Sequence, residues 1–380
     1  MTRLDRRQLL SLGLILFSGS TAVCVAGGQK SGVRRFASAA SDRNDQHWVS
    51  VLGEEDGSVR LLMKLQLPGR GHHVAIHPDG SGFVAVARRP GNWLVVGNPD
   101  MGGITSQIRV PDDRHLYGHG VFSEDGSYFY TTESDFNDRE NENGLVGVWE
   151  VNTSGGEIRL HRVAEFPTFG TGPHELVLMP DGQTLAIANG GMRTHPESER
   201  EVLNLDTMLP SLAYLDAANG KLLEQQFLPE DYHQASIRHM DVNAQGMVAL
   251  GMQFQGEPWQ QVPLIATHNR GEAFRLLLAD EPVQGQMQQY VGSVRFSADG
   301  HTFMASCPRG NQLTIWDAVS GKLLDSVRSR DGCGVCAVEE GFLFTAGTGK
   351  LALYDLGRLS VVELTSDESG LMWDNHLSIV

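Results

Sequence analysis

The chain has 380 residues, a formal net charge of −16 and a hydrophobic share of 41%, with 44 glycines. That length holds two ordinary domains or one large repeat fold, and the glycine content suits a turn-rich protein. So acidic a chain repels nucleic acid and anionic lipid, which excludes both as partners.

The first 28 residues, MTRLDRRQLLSLGLILFSGSTAVCVAGG, read as an export leader. A basic start with Arg6-Arg7 precedes an apolar run from Leu9 to about Ala26, interrupted by Gly and Ser. Paired arginines before a mildly apolar core have the form of a twin-arginine signal. The alternative is an uncleaved membrane anchor. Cys24 invites a lipoprotein reading, but Val23 before it is bulkier than such a signal tolerates. Cleavage after Ala26 and cleavage after Ala39, which closes Ala37-Ser38-Ala39, are both open. Residues 1–39 are taken as signal and leader and 40–380 as one domain. Removing the leader leaves 24 basic and 45 acidic residues, a net charge of −21. The processed protein is expected in the periplasm, as a monomer without a membrane span.

From His47 onward, apolar segments of four to eight residues alternate with turn signals, as in an all-β protein. Six hairpin turns recur: His77–Gly80, Ser123–Gly126, Met179–Gly182, Asn243–Gly246, Ser297–Gly300 and Val338–Gly341. Gly at the last position supplies the positive φ such hairpins need. A second signature follows in several units: VGVWEVNTSGG, LAYLDAANGKLL, LTIWDAVSGKLL and LALYDLG. An apolar strand, an aromatic residue, an acid and a Gly turn have the form of the third strand of a WD40-like blade. Units begin near residues 71, 118, 173, 237, 291, 333 and 374, and the last has room for one strand, DNHLSIV. The expectation is a seven-bladed β-propeller of the WD40/YVTN type. Its C-terminal strand pairs with the N-terminal strands of segment 46–66, which closes the ring and leaves no sheet edge. A pair of β-sandwiches is the alternative.

Each unit opens on a polar, metal-competent or small residue that runs into the inner strand: His72 or His73, His119, His174, His239, Ser293, Cys333 and His376. In a propeller these positions meet at one level around the central channel. Neutral imidazole is the commonest metal ligand, and several on separate rigid strands make a preorganised site. A lone histidine at a strand start is more often a capping residue; the recurrence carries the argument. Register is ambiguous by one residue. His119, His239 and Ser293 lie seven residues before the turn Gly, His72 and His174 lie eight, and His73 and Glu175 lie seven. A slip of one reverses a side chain's facing, so His73 is an alternative to His72 and Glu175 a further carboxylate ligand or a supporting partner. Cys333 is a possible soft ligand. Cys307, Cys333 and Cys336 are open to one disulfide, to metal ligation or to burial as inert thiols.

Loops on the ring's side of the disc are long and polar: Ala87–Asn92, 133–144, 189–208, 253–261 and 307–311. Such loops carry function on a rigid scaffold. The acidic 133–144 loop lacks EF-hand spacing. Arg70, Arg88, Arg193, Arg238 and Arg309 belong to this face and are able to take a carboxylate or phosphate through bidentate pairs. Met192, Met208 and Met252 would suit copper, although Met is more often core filler.

At GRGH, YGHGVF, GPHELVLMPDG, SIRHM, YVGSV, DNHL and the block NGGMRTHPESEREVLNLDTMLPSLAYLD, the chain resembles an uncharacterised bacterial family of Tat-exported β-propellers. The likeness spans nearly all of residues 46–380. Members of that family carry a domain of unknown function and are often encoded beside imelysin-type, iron-regulated proteins. The resemblance implies a periplasmic role tied to iron or another transition metal, with other periplasmic iron-uptake proteins as partners. A looser similarity, to the histidine ring that holds the copper–sulfur cluster of nitrous oxide reductase, breaks at Ser293 and Cys333. It implies no nitrous oxide reduction here.

The leading expectation is a metal-binding propeller, with His72, His119, His174, His239 and His376 as ligands for iron or copper. It leans away from an enzyme. A second reading is a hydrolase or lyase in which His174, Glu175, Arg238 and His239 act on a small anionic substrate. A third is a protein-interaction scaffold using the long loops.

Overall fold

A computed structural model describes residues 32–100, 103–137, 143–153, 157–198, 201–366 and 370–380. Arg6-Arg7, Cys24 and the apolar run lie outside the described residues. The chain forms a seven-bladed β-propeller. Six four-stranded antiparallel sheets follow one another over residues 71–109, 114–167, 173–227, 235–277, 293–328 and 332–363; they are blades 1 to 6. Blade 7 is composite. Strands Arg34–Asp42, His47–Glu55 and Ser58–Gln66 are joined at the channel by Leu371–Trp373 and Ser378–Ile379, which both pair antiparallel with Arg34–Asp42.

Closure is as expected in kind, but the partner strand differs. The terminal segment pairs with Arg34–Asp42, which stands between it and His47–Glu55. This strand reads RRFASAASD, and its small residues Ala37, Ser38 and Ala39 are buried. Small side chains fit a strand next to the crowded axis, and the same residues form the Ala37-Ser38-Ala39 pattern read as one of the two cleavage sites. The strand runs through residue 39, so part of the segment read as leader is built into blade 7.

Local chemistry explains the blades. In the first five hairpins the turn Gly has φ between 66° and 85°. Its N–H donates to the carbonyl three residues back, as Gly80 does to His77 at 2.8 Å. The sixth turn differs: Val338 pairs directly with Gly341, whose φ is 150°. The aromatic residues of the second signature, Trp149, Tyr214, Trp316 and Tyr354, are all buried between blades. Their polar tips are satisfied, as where Trp316 Nε1 donates to Thr314 Oγ1 at 2.9 Å. The acids that follow fold the next turn: Asp216 Oδ1 accepts the Ala218 N–H at 2.9 Å, and Asp355 Oδ1 accepts that of Arg358 at 2.9 Å.

Deleting residues 371–380 should abolish soluble, monodisperse protein. The deletion removes buried Leu371, Trp373 and Leu377, each worth about 1.5–3 kcal/mol, and bares the edge of Arg34–Asp42. The loss approaches the whole of a typical stability of roughly 5–15 kcal/mol. Thermal melting and gel filtration decide; a truncated protein that melts with the full chain contradicts the closure.

Candidate metal centre

Six of the seven inner strands leave regular pairing at the ring residue. In blades 1, 3 and 6 two inner residues face one on the neighbouring strand: His72-His73, His174-Glu175 and Cys333-Gly334. Blade 2 is irregular between Leu116 and Gly120, and blade 4 between Ile237 and His239. In blade 7 Asp374–Leu377 separate two short pairings. Only blade 5 is regular, with Ser293 opposite Ser306. Such bulges re-aim side chains next to functional sites. They resolve the one-residue ambiguity: His72 and His73 both turn inward, with rings 4.9 and 5.5 Å from His119.

All five expected histidines converge. Ring centroids are 4.4 Å apart for His119–His376, 4.6 Å for His72–His376, 4.7 Å for His174–His239 and 4.8 Å for His119–His174. Two overlapping ligand sets result. The donor atoms of His119, Glu175, His239 and His376 lie within 4.8 Å of one another, and so do those of His72, His119 and His174. Gly118, at φ 108°, makes room for this packing; a Cβ there would lie 2.5 Å from the His72 ring.

Neighbouring groups orient three of the imidazoles. His72 Nδ1 donates to Asp374 Oδ1 at 2.8 Å, His174 Nδ1 to the Arg238 carbonyl at 3.0 Å, and His239 Nδ1 to Glu175 Oε2 at 3.2 Å. An ionised carboxylate and a carbonyl only accept, so each of these rings keeps an Nε2 lone pair. Carboxylate and carbonyl partners behind a ligating histidine fix its tautomer and orientation in this way. Asp374 is itself held by Arg70 Nε at 2.7 Å and Arg88 Nη1 at 3.1 Å. His72 Nε2, both nitrogens of His119 and both of His376 are buried with no hydrogen-bond partner among the described residues. Buried polar atoms are nearly always paired, so this convergence is a donor set suited to a transition metal.

Burial sets the protonation. Desolvation pushes His72 and His73 down to about 4 and holds His119, His174 and His376 well below the ordinary imidazole value, with mutual repulsion adding to it. Neutral imidazole is the ligating form. Burial raises the Glu175 carboxyl, but His239 and Arg295 outweigh it and hold the group below its ordinary value. Arg295 approaches Glu175 at 3.5 Å and Asp241 at 4.0 Å from inside the channel.

Other sequence expectations divide. Cys307, Cys333 and Cys336 are free and buried, each thiol raised first by desolvation. Cys333 donates its S–H to the Asp331 carbonyl at 2.9 Å and belongs to neither ligand set. Arg70 and Arg88 serve Asp374, while Arg88, Arg238 and Arg309 line a cavity of about 180 Å³ above the ring; Arg193 is outside its lining. Met192 lines the cavity, whereas Met208 and Met252 are core. Asp374, Arg89 and Arg295 were not singled out from sequence. Asp374, directly before Asn375-His376 in the closing stretch, was the one with a signal; Arg89 and Arg295 had none beyond a basic residue near a ring position.

The profile of the family described as protein of unknown function (DUF1513) matches residues 65–380, and the chain belongs to that family. A comparison with curated proteins finds no match. Among solved structures, hydrazine synthase of Kuenenia stuttgartiensis is similar with a TM-score of 0.58 and 16% identity, over 86% of this chain and 94% of the other. A Bacteroides uniformis protein provisionally named a 6-phosphogluconolactonase gives a TM-score of 0.64 and 12% identity, over 92% and 100%. The β-propeller domain of Myceliophteria thermophila Cps50 (Swd1) gives 0.54 and 13%, over 89% and 96%. At these identities the likeness concerns the fold alone. Among the described residues no helix is long and apolar enough to cross a membrane.

Metal-free protein should lose stability as pH falls from about 6.5 toward about 4. The unfolded chain protonates its histidines near 6.5, while burial holds His72 and His73 at about 4 and His115 at about 3. Within that window the unfolded state binds more protons, so stability falls with pH, by up to about 1.4 kcal/mol per pH unit for each such histidine. Glu175 and Asp374, both held low, add to the loss below about pH 4.5. Melting temperatures of chelator-treated protein check this, and a flat profile across the window contradicts it.

Proposed function

We propose that this propeller binds a transition metal in the periplasm, through His72, His119, His174, His239, His376 and Glu175, and serves iron handling. The convergence of unpaired ring nitrogens from separate blades is the observation that carries the reading. A mixed set of imidazoles and one carboxylate suits iron, which the family resemblance also favours, ahead of copper. The thiols, which would favour cuprous copper, are turned to other partners or packed in the core. His73 and Asp374 act as supports, the latter by orienting His72. Other periplasmic iron-uptake proteins are the natural partners of a monomer with this role.

Acid–base catalysis through His174, Glu175, Arg238 and His239 fits less well. Such groups work best when they titrate near the working pH. Here His174 and His239 are pushed down by burial, and Glu175 is kept ionised by His239 and Arg295.

His119→Ala or His239→Ala should each lower bound metal by at least about tenfold while the protein still folds, because ligands on separate blades act together. His301, exposed in a hairpin turn on the opposite face, is the matched control and should change nothing. Elemental analysis of protein purified from its native periplasm gives both the metal and its stoichiometry. Unaltered metal content in both ring variants rejects the centre.

The export reading extends to the mature terminus. Strand Arg34–Asp42 belongs to blade 7, so cleavage after Ala26 preserves the fold, whereas cleavage after Ala39 removes most of that strand. Intact mass of the periplasmic protein should correspond to a start at Gly27. Replacing Arg6 and Arg7 together by lysine should stop export while keeping the charge. A mature chain starting at Ala40, or export that survives the double replacement, contradicts the reading.

A further inference from the structure

Above the histidine ring, the cavity of about 180 Å³ is lined by Arg88, Arg89, Arg238 and Arg309, and by no carboxylate among the described residues. That lining stands out in a chain of net charge −16. Arg88 is answered from behind by Asp374 at 3.1 Å. Among the described residues Arg89 donates to the Thr194 hydroxyl, at 3.2 Å, and its guanidinium lies 5.6 Å from the Tyr117 ring. Arg309 lies over the Tyr290 ring at 4.4 Å, which holds its guanidinium as a flat platform. Arg238 is the decisive residue. It is 7% exposed, and its Nε and Nη1 have no hydrogen-bond partner among the described residues. A buried cation without a partner is strongly destabilising.

We infer that this cavity binds a small oxyanion, a carboxylate or a phosphate, anchored on Arg238 with Arg89 and Arg309 and placed directly over His72 and His174. A guanidinium fork matches two oxygens of either group. The volume of about 180 Å³ falls below the roughly 300 Å³ at which drug-sized pockets begin. It therefore suits a compact anion. The anion site goes beyond the metal reading: the arginines act whether or not a metal is bound. Where the metal reading holds, the anion's remaining oxygens face the Nε2 side of His72 and His174, and metal and anion strengthen each other's binding.

Calorimetric titration with oxalate, malonate and inorganic phosphate, at low salt and with chloride as the control, tests this on chelator-stripped and on metal-loaded full-length mature protein. Saturable binding of oxalate, malonate or phosphate to the stripped protein is expected, and which of them binds identifies the source as carboxylate or phosphate. Arg238→Gln should weaken that binding at least about tenfold, and Arg309→Gln severalfold. Arg358→Gln, at an exposed position outside the cavity, should leave it unchanged. Arg309 is exposed, so its variant keeps the test alive if Arg238→Gln does not fold. Anion binding without any metal uptake rejects the metal centre and leaves this site standing. No saturable binding to either form, or binding that both arginine variants retain in full, overturns it.

Discussion

Ring closure and the centre are one construction, and the hinge between them is the carboxylate of Asp374. The last strand pairs with Arg34–Asp42 at Leu371–Trp373 and again at Ser378–Ile379, and breaks between. At this break Asp374, whose N–H still donates to the Ala39 carbonyl at 2.9 Å, gathers His72 at 2.8 Å, Arg70 at 2.7 Å and Arg88 at 3.1 Å with its carboxylate. His376 stands two residues on, among the other rings. The Asp374 contacts join the end of the chain to its first blade, and His376 meets His72, His119 and His239 of blades 1, 2 and 4. The direction of the His72 lone pair is therefore fixed only once the chain has come full circle. A site made this way does not exist in a partly folded protein, so the ligand set forms together with the completed ring.

The packing of imidazoles imposes its own electrostatic condition. Two protonated rings about 5 Å apart repel by roughly 3 kcal/mol at an effective dielectric constant near 20. With centroids at 4.4 to 6.2 Å, the cluster is compatible only with mostly neutral rings. Burial supplies that neutrality. It also explains why the carboxylates present are not left free: Glu175 faces Arg295 and His239, and Asp374 faces two arginines and His72.

The fold was legible because its repeat is punctuated. Turn glycines and buried third-strand aromatics recur at propeller spacing, and they mark blades 1 to 6. The strand Arg34–Asp42 was not legible, since small residues suited to a crowded channel are also those of a cleavage motif. The five ring histidines could be read from their distance to the turn Gly. The discrepancy of one residue between His72 and His119 looked like uncertainty and was a bulge, which brings His73 and Glu175 into the cluster as well. Cys333 shared the ring pattern but not the site. Its bulge partner Gly334 abuts the backbone of His376 and Leu377, while the thiol turns to the Asp331 carbonyl. Arg295 was invisible, because its pairing with Glu175 links strands 120 positions apart and follows no local period.

Charge is sorted by depth. The outside is acidic and attracts cations toward the disc. The chamber over the ring is arginine-lined and disfavours a bare cation. At the centre, both carboxylates already have cationic partners. In the proposed site, a divalent metal therefore brings positive charge that the protein leaves uncompensated, and burying such charge is costly. An accompanying oxyanion removes the difficulty at both levels, since it partners Arg238 and neutralises the metal in one contact. This ordering favours a metal that arrives with, or acquires, an anionic companion over a free aqueous ion, and it gives the arginines a role that the histidines cannot fill.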